Sequence, residues 1–377
     1  MAGLYIHIPF CEKKCGYCDF FSVRFRKDNS FIDNFLNCLS TELIEKSYLF
    51  SNQTVETIYF GGGTPSILPV SALSVIYKTI ASHYNLADTV ECTIEINPEH
   101  ATDAYFSDMR ASGFINRLST GFQAMDDAGL RYLGRNHSVA DNLRYLDLCE
   151  KYDFSNYSAD YIFGYEILTE AEIERSFRIL AGRGVPHISA YSLGIEENTP
   201  FMLKLRKGEI HKMDDEFFLN QFRLIHYLLQ SLGYQHYEIS NYAKPGMYSV
   251  HNSNYWDFVP YLGFGPSAHS YLNNQRGWNS RTIPKYTEQI NSHTLFDESE
   301  SLSPDDRYNE YIMLRFRTSK GVNIPYLRSN FSQYFDIFQK NLSRRDFADY
   351  FEVNGDYVNL NLEGFYISDH IISEFFV

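Results

Sequence analysis

Residues 5–18 read YIHIPFCEKKCGYC, a short run of strand-forming residues that leads directly into three cysteines. Isoleucine, tyrosine and phenylalanine favour strands, so we expect a strand over residues 4–10. Cys11, Cys15 and Cys18 then follow in a CxxxCxxC pattern, and the next cysteine along the chain is Cys38. The pattern therefore predicts three thiols in one tight loop at the end of a strand.

Three neighbouring thiols without a fourth are typical of a metal cluster with one open position. An iron–sulfur cube is normally held by four thiolates, so three thiolates leave one iron free to take a small molecule. Lys13 and Lys14 place positive charge near such an anionic cluster, and we expect Gly16 to help the loop turn. The alternative is a zinc site with His7 as fourth ligand, although structural zinc usually has two separated ligand pairs.

The first strand is followed by five similar runs, and helix-like stretches separate them. The six predicted strands cover residues 4–10, 55–60, 90–96, 115–122, 157–164 and 187–194. Alternating strands and helices imply parallel strands joined by right-handed crossovers, in an open sheet or a partial barrel. Ligands of such folds bind at the carboxyl ends of the strands, where GGGTPS (61–66) and Glu95 of EINPE also fall.

Further polar residues lie near the ends of the later strands. Gln123, Arg135 and Asp160 are in this position. An aspartate in a buried strand is costly unless it is paired, so we expect Asp160 to face a ligand or Arg135. Each of these residues alone is compatible with a structural role, and it is their arrangement at successive strand ends that predicts a site.

Composition narrows the possible classes of protein. The chain has 377 residues, 44% hydrophobic and 16% aromatic, which is enough for a sizeable core. A net charge of −14 disfavours contact with phosphate backbones, so we expect no nucleic-acid partner. The chain shows no leader pattern and no run of roughly 20 apolar residues. We therefore expect a cytoplasmic protein that lies, at most, peripherally at the inner face of the membrane, with Cys38, Cys92 and Cys149 buried.

The pattern changes in the second half of the chain. We predict a strand–helix domain over residues 1–200, a region covering the barrel over 201–300, and a small domain over 301–377. The covering region is expected to contain helices and then a loop-rich aromatic stretch. Helices before a hairpin near 350–361 suggest a winged-helix-like domain, and its acidic residues favour structural packing over DNA binding. The predicted fold class is α/β with a C-terminal α+β extension.

Together these motifs resemble the radical S-adenosylmethionine (SAM) superfamily, whose signature is CxxxCxxC. The closer resemblance, over nearly the whole chain, is to the oxygen-independent coproporphyrinogen III oxidase family. The segments that carry it are YIHIPFCEKKCGYCDF, YFGGGTPS, EINPE, NRLSTGFQ, LGRNH and YEISNYAKPG. The resemblance implies a partial (β/α)6 barrel, a [4Fe–4S] cluster on Cys11, Cys15 and Cys18, and SAM on the open iron.

The resemblance also implies which residues contact SAM. Tyr5, Gly62 and Glu95 would contact the cluster-bound SAM. The other positions that match SAM contacts of the family are Tyr17, Gly63, Thr64, Gln123, Arg135 and Asp160. Tyr17 replaces a phenylalanine of the oxidases, which is a mild change.

Two departures from the oxidase pattern resemble the heme-chaperone branch of the family, HemW. The oxidases carry CxxxCxxCxC and a longer N-terminal extension, whereas this chain has Phe20 in place of the last cysteine and begins almost on its first strand. In addition, HNSNYW (251–256) matches the HNxxYW heme-associated motif of that branch.

The HNxxYW motif supplies the candidate heme residues. A neutral imidazole is a standard axial ligand of heme iron, so His251 is the predicted ligand and His269 of GPSAHSY is second. Tyr255 and Trp256 offer flat apolar surface for a porphyrin. The structural alternative is a loop histidine that bonds to the backbone.

The predicted function is that of a heme chaperone, which binds the cluster, SAM and heme and passes heme to an acceptor protein. The alternative is an enzyme that decarboxylates coproporphyrinogen III by radical SAM chemistry. A radical SAM methyltransferase, a heme-degrading enzyme and a binding module without a cluster are weaker alternatives. Exposed aromatic residues are compatible with a homodimer face or a partner site.

Overall fold

The computed structural model describes residues 1–25 and 28–377, and most of its strands join one mixed sheet. The strands are β1 (Ala2–Ile8), β2 (Phe10–Cys11), β3 (Val23–Arg24), β4 (Thr54–Gly62), β5 (Asn85–Ile96), β6 (Arg117–Gln123), β7 (Tyr157–Phe163), β8 (His187–Ser192), β9 (Gln235–Glu238), β10 (Asn241–Ala243), β11 (Tyr261–Phe264), β12 (His269–Leu272), β13 (Gln275–Trp278), β14 (Glu298–Ser301), β15 (Val322–Asn323), β16 (Phe351–Asn354) and β17 (Tyr357–Leu360). The α-helices are α1 (Asn29–Lys46), α2 (Val70–His83), α3 (Asp103–Ser112), α4 (Asp127–Tyr132), α5 (Val139–Lys151), α6 (Glu170–Gly182), α7 (Pro200–Arg206), α8 (Asp215–Ser231), α9 (Val250–Trp256), α10 (Ile283–Asn291), α11 (Pro304–Phe316), α12 (Ile324–Asn330), α13 (Phe335–Leu342), α14 (Leu362–Tyr366) and α15 (Ser368–Ser373).

The centre of the sheet is a parallel run of strands in the order β1, β4, β5, β6, β7 and β8. Strand β1 is buried along nearly its whole length, as expected for a parallel strand in the interior of a sheet. The predicted α/β fold and its six strands are therefore confirmed, with small shifts at the ends. The third strand, for example, begins at Asn85 rather than at residue 90.

The sheet continues beyond both ends of this parallel run. Next to β1 lies β11, which is parallel to it, and β12, β13 and β14 follow as antiparallel strands. At the other end β10 and β9 add antiparallel strands to β8. The expectation of a loop-rich stretch in this part of the chain is therefore wrong. Asn273 and Asn274 both have positive φ between β12 and β13, the conformation of a tight hairpin turn.

Side-chain caps set the starts of the helices that cover the sheet. Thr169 accepts the backbone N–H of Glu172 at the start of α6, and that helix ends at Gly182. Asp214 caps α8 in the same way, through Phe217 N–H. Each cap satisfies a backbone donor that the first turn of a helix leaves free.

The C-terminal strands form a separate antiparallel sheet in the order β15, β17, β16. The hairpin of β16 and β17 lies within the predicted residues 350–361, and Gly355 at its turn has φ 61°. Helices α11, α12 and α14 contact this sheet. Among the described residues, no helix combines the length and the apolar character needed to cross a membrane.

A buried charge pair joins α1 to the strands beyond β1. Lys46 Nζ donates to Glu42 Oε1 at 2.5 Å and to Asn279 Oδ1 at 3.1 Å, and both charged side chains are 1% exposed. The other oxygen of Glu42 accepts from Tyr286 Oη at 2.7 Å and from Gly265 N–H at 2.8 Å. Since each buried charge is paired and hydrogen-bonded, the network is stable only while all of its members are present.

The variant Lys46→Ala tests this network. Removing the ammonium leaves the Glu42 carboxylate buried without a cation, so we expect the free energy of unfolding to fall by about 3–5 kcal/mol. Urea denaturation followed by circular dichroism measures it. The control Lys78→Ala, on the exposed side of α2, is expected to stay within about 0.5 kcal/mol of the parent. A loss below about 1 kcal/mol in Lys46→Ala would contradict the structural role given to this pair.

Candidate cluster and ligand site

The three-cysteine loop begins at the carboxyl end of β1 and is anchored by an aromatic side chain. Phe10 is fully buried, and its ring packs edge-on against Phe35 with the centroids 5.0 Å apart. The two-residue strand β2, which includes Cys11, pairs with β3 and fixes the return of the loop. The first cysteine of the motif is thus fixed by strand pairing, and all three cysteines are partly buried.

The glycine motif holds this loop against the end of β4. Gly63 N–H donates to the carbonyl of Ile8 at 2.8 Å. A Cβ on Gly63 would lie 2.7 Å from the carbonyl oxygen of Phe10, which is closer than real Cβ atoms come. The neighbouring Gly62 has φ 112°, in the region that favours glycine, and its N–H donates to Glu95 Oε2 at 3.1 Å. The glycines of this motif therefore allow the backbone at the end of β4 to pack closely against the backbone of residues 8–10.

Glycine is required at position 16 for a reason other than the predicted turn. Its φ is outside the left-handed region, so the turn itself does not require glycine. Instead the ring of Phe201 lies against it, where a Cβ would come within 2.5 Å of that ring. Phe201 N–H also donates to the Gly16 carbonyl at 2.9 Å, so α7 closes over the cysteine loop.

All the residues predicted for the cluster and for SAM line one cavity of about 240 Å³. They are Cys11, Cys15, Cys18, Tyr5, Tyr17, Gly62, Gly63, Thr64, Glu95, Gln123, Arg135 and Asp160. Lys13 and Lys14, at the mouth of the same cavity, supply positive charge beside the thiols. The carboxyl ends of five parallel strands thus converge on the cysteine loop, as the fold requires.

Polar groups in the cavity contact the thiols directly. Thr64 Oγ1 donates to Cys11 Sγ at 3.6 Å, and Arg135 Nη1 donates to Cys15 Sγ at 3.2 Å. Burial raises the pKa values of Cys11 and Cys18. Donors at these distances stabilise thiolates, which are the form that binds iron.

His7, the fourth ligand in the zinc alternative, is engaged elsewhere. Its Nε2 is hydrogen-bonded with the carbonyl of Phe21 at 3.1 Å, and its Nδ1 with Tyr5 Oη at 3.1 Å. Burial lowers the pKa of His7 to about 4, so the ring is neutral. Both ring nitrogens are therefore occupied, and the geometry gives the zinc alternative no fourth ligand at His7.

Two buried carboxyl groups line the cavity beside the thiols. Desolvation raises the pKa of Glu95 to about 7 and the pKa of Asp160 to about 6. Glu95 Oε1 accepts from Tyr59 Oη at 2.9 Å, which fixes the orientation of the carboxyl. A positively charged ligand would compensate for the lost hydration of both carboxylates.

Arg135 is the main cation of the cavity and has a free donor. Its Nη2 donates to Asn97 Oδ1 at 3.0 Å and to the carbonyl of Gly121 at 3.3 Å. Its Nε is buried and, among the described residues, has no hydrogen-bond partner. A buried donor that lines a cavity and lacks an acceptor indicates that a ligand with acceptor atoms completes the site.

A second cavity of about 390 Å³ shares Tyr17, Glu95, Gln123 and Asp160 with the first. It exposes residues that the sequence analysis did not single out. Foremost among them are Arg117, His187 and Tyr191. A usable signal was present in NRLSTGFQ, because an arginine inside a strand is costly unless it is paired or faces a site.

The histidine of the HNxxYW motif, His251, is buried where helix α9 packs on strand β4. His251 is 2% exposed and stacks on Tyr59, with the ring centroids 4.9 Å apart. Its Nδ1 is hydrogen-bonded with Thr57 Oγ1 at 2.8 Å and its Nε2 with Tyr255 Oη at 2.9 Å. Burial, reinforced by Arg117, lowers its pKa to about 3. The structure therefore does not place the predicted heme ligand on a cavity wall.

The other two aromatic residues of the motif diverge. Tyr255 reaches a groove of about 560 Å³ next to the cluster cavity, and this groove also includes His269. Trp256 lies on the side of α11, where its carbonyl accepts from Arg315 at 3.2 Å and its indole N–H is buried. The predicted set His251, Tyr255 and Trp256 is thus not assembled around one space.

Comparisons with known proteins agree with this fold. The family model of the radical SAM superfamily matches residues 5–180. The structure of coproporphyrinogen III oxidase (HemN) from Escherichia coli, a radical SAM enzyme, superposes with a TM-score of 0.85. The match covers 100% of this chain and 90% of that chain at 20% sequence identity, and it shows a common fold. The class defined here is that of the radical SAM proteins.

Two relatives narrow the class. The heme chaperone HemW of Mycobacterium tuberculosis is 32% identical over 327 residues, covering 86% of this chain and 84% of that protein. HemW of Haemophilus influenzae is 31% identical over 373 residues, covering 98% and 94%. The chain belongs to the radical SAM superfamily and, within it, to the HemW family. Membership of the superfamily implies a [4Fe–4S] cluster and SAM.

The residues of the cavity fit these two groups. Three thiols face the same space as two carboxyls and a glycine backbone, which suit the sulfonium and amino groups of SAM and leave one iron open. When bound, a [4Fe–4S] cluster would supply one-electron chemistry at SAM. The protein's own part would be to hold the thiolates through Cys11, Cys15 and Cys18 and to contact the nucleotide through Glu95 and Arg135.

Serine substitutions test the thiol assignment. Cys11→Ser, Cys15→Ser and Cys18→Ser are each expected to lose the cluster, because hydroxyl oxygen is a poor substitute for thiolate on iron. Iron and sulfide content and visible absorbance of anaerobically reconstituted protein measure the loss. Cys149→Ala removes a buried thiol outside the cavity and is the matched control. Full iron content in any of the three serine variants would remove that thiol from the ligand set.

The raised pKa of Glu95 predicts a pH dependence for SAM binding. Its carboxyl is largely protonated at pH 6 and ionised at pH 8, and only the ionised form attracts a cation. SAM affinity is therefore expected to rise by up to about tenfold between these pH values. Anaerobic equilibrium dialysis measures it.

The variant Glu95→Gln is expected to bind SAM more weakly and to lose most of this rise. Glu174→Gln, on the outer helix α6, keeps the parent profile as the control. An unchanged pH profile in Glu95→Gln would assign the titration to another group.

Proposed function

We propose that this protein is a heme chaperone, which holds heme beside a [4Fe–4S] cluster and SAM and passes it to an acceptor protein. The observation that carries the proposal is the 31–32% identity, over most of both chains, to proteins named heme chaperone HemW. The likeness spans 98% of this chain in the longest of these matches, so it includes the parts beyond the parallel core.

The structure supplies compatible chemistry for each part of this function. The cavity with the three thiols offers acids for a cationic nucleotide, as described above. The adjoining groove offers aromatic side chains and cationic side chains beside each other, which suits a flat macrocycle with carboxylates. Heme is the cargo in this proposal, whereas the cluster and SAM remain with the protein.

Coproporphyrinogen III decarboxylation is the second candidate, because the whole chain shares its fold with a HemN structure. One position argues against it. Phe20 occupies the place of the last cysteine in the oxidase pattern, and its side chain is 71% exposed at the edge of the cluster cavity. A large apolar side chain there changes the surface that a substrate would meet.

Parallel assays of the reconstituted protein distinguish the two functions. We expect hemin to bind with one-to-one stoichiometry and to pass to a heme-depleted cytochrome, seen as a shift of the Soret band. Under reducing anaerobic conditions with SAM, we expect no protoporphyrinogen from coproporphyrinogen III. A true oxidase assayed alongside is the positive control. Product formation at a comparable rate, or failure of hemin to bind, would overturn the proposal.

A further inference from the structure

The groove beside the cluster cavity has the composition of a site for a flat, anionic ring system. Five tyrosine and phenylalanine side chains line it, those of Tyr5, Phe20, Phe21, Tyr255 and Tyr261. Two of its residues, Lys14 and Arg281, carry exposed cationic side chains, against one exposed carboxylate, Asp19. Its volume of about 560 Å³ is in the usual range for sites of cofactor-sized ligands.

The groove and the cluster cavity are adjacent compartments with a common wall. Tyr5, Lys14, Phe20 and Ser22 line both of them. A ligand in the groove would therefore lie against the far side of the residues that face the cluster and SAM. Phe20 is the most exposed of the large aromatic side chains in this wall, so its ring is available for stacking.

His269 is the histidine of this groove that is free to bind metal. Its side chain is solvent-accessible at the start of β12, with its ring stacked on Trp278 at a centroid distance of 5.9 Å. Within the part of the chain that the structure describes, neither of its ring nitrogens has a hydrogen-bond partner. His7 also lines the groove, but both of its nitrogens are engaged, as shown above.

The surroundings of His269 keep the imidazole in the form that binds iron. Partial burial, together with the nearby cations Arg276 and Arg281, lowers its pKa. The ring is accordingly neutral near pH 7, and a neutral imidazole nitrogen is the usual axial donor to heme iron.

His251 reaches the same groove only through a neighbour. Its Nε2 is hydrogen-bonded with Tyr255 Oη at 2.9 Å, and the Tyr255 ring packs edge-on against Tyr261 at 4.7 Å. Thr57 holds the opposite nitrogen at 2.8 Å, and Glu91 accepts the backbone N–H of His251 at 2.9 Å. With its ring fixed on both sides, His251 sets the orientation of Tyr255 in the groove wall.

Given the proposed chaperone function, we propose that heme binds in this groove with His269 as an axial ligand. In this arrangement Lys14 and Arg281 pair with the propionates, and Phe20 and Tyr261 cover the faces of the ring. His251 is a positioning residue that acts through Tyr255. The role of the HNxxYW motif is thus to build the wall of the site, while the iron ligand comes from the following hairpin.

Hemin titration of histidine variants tests the ligand. His269→Ala is expected to weaken hemin binding about tenfold or more and to change the Soret band and the electron paramagnetic resonance signal of the iron. Added free imidazole is expected to restore the parental spectrum in His269→Gly. The control is His83→Ala, which removes an exposed histidine at the end of α2. Parental affinity and spectra in His269→Ala would overturn the assignment.

Double substitution tests the positioning role. His251→Ala is expected to keep the parental iron spectrum while lowering affinity, and Tyr255→Phe is expected to reproduce that loss. The double variant should bind no more weakly than the weaker single variant, since both act on one contact. Loss of the iron-ligand spectrum in His251→Ala would instead make His251 the ligand. Thermal melting confirms that each variant is folded.

Comparing heme with its dimethyl ester tests the proposed contacts between the propionates and the cationic side chains. Esterification of heme to its dimethyl ester removes the two propionate charges and adds two methyl groups. The parent is therefore expected to prefer heme, and Arg281→Gln to reduce that preference more than the charge-neutral variant His83→Ala does. If the parent protein fails to bind hemin at all, the proposed function is wrong. If the parent binds hemin but the His269 and Arg281 variants bind as the parent does, only the location of the site is wrong.

Discussion

The cysteine loop depends on a contact that only glycine permits. Gly63 joins the end of β4 to the end of β1 through a backbone hydrogen bond, and Phe10 leaves no room there for a Cβ. Because both partners are main chain, the loop cannot shift without disturbing the sheet. The thiols therefore have a fixed position relative to Glu95 and Asp160, which the next strands carry. A cluster and a nucleotide held by these residues would meet in one geometry, as a reaction between them requires.

Two kinds of buried polar group coexist in the molecule. Lys46 and Glu42 are fully paired, and their network stabilises the packing of α1. Arg117 and Arg135 also lie inside the protein and line cavities, and among the described residues neither Nε has a hydrogen-bond partner, although Arg117 Nε lies 4.0 Å from Glu91 Oε2. Unpaired donors and carboxyls of raised pKa lower the stability of the ligand-free protein. They are retained where a ligand would complete them, and the paired network elsewhere offsets their cost.

The parallel core and the cluster cavity were predictable because the strand topology determines which residues lie at the same edge of the sheet. Once residues 55–60 and 90–96 are recognised as parallel strands, Glu95 and the glycine motif must share one edge of the sheet. The short strands were not predictable in the same way. Strand β11 has four residues, too few for a periodic pattern. Its partner β1, Ala2–Ile8, is far away in the sequence.

His251 shows a second limit of prediction from sequence. Its residue type and motif suggested an exposed ligand, but its burial depends on how α9 packs on β4. Only the tertiary structure brings Thr57 and Tyr255 to its two nitrogens. Arg117 shows the opposite case: an arginine in a buried strand is costly unless it is paired or faces a site, and that signal is present in the segment NRLSTGFQ.

The neighbours of β1 also have a consequence for how the chain folds. Ile6 pairs with Phe60 on one side and with Phe264 on the other, so β1 acquires its second flank only after residue 264 has been made. Until then one edge of that strand has unpaired backbone groups and invites association with other chains. Premature termination before residue 264 would therefore yield an aggregation-prone fragment, and iron inserted during synthesis would enter a loop whose supporting strand is still open on one side.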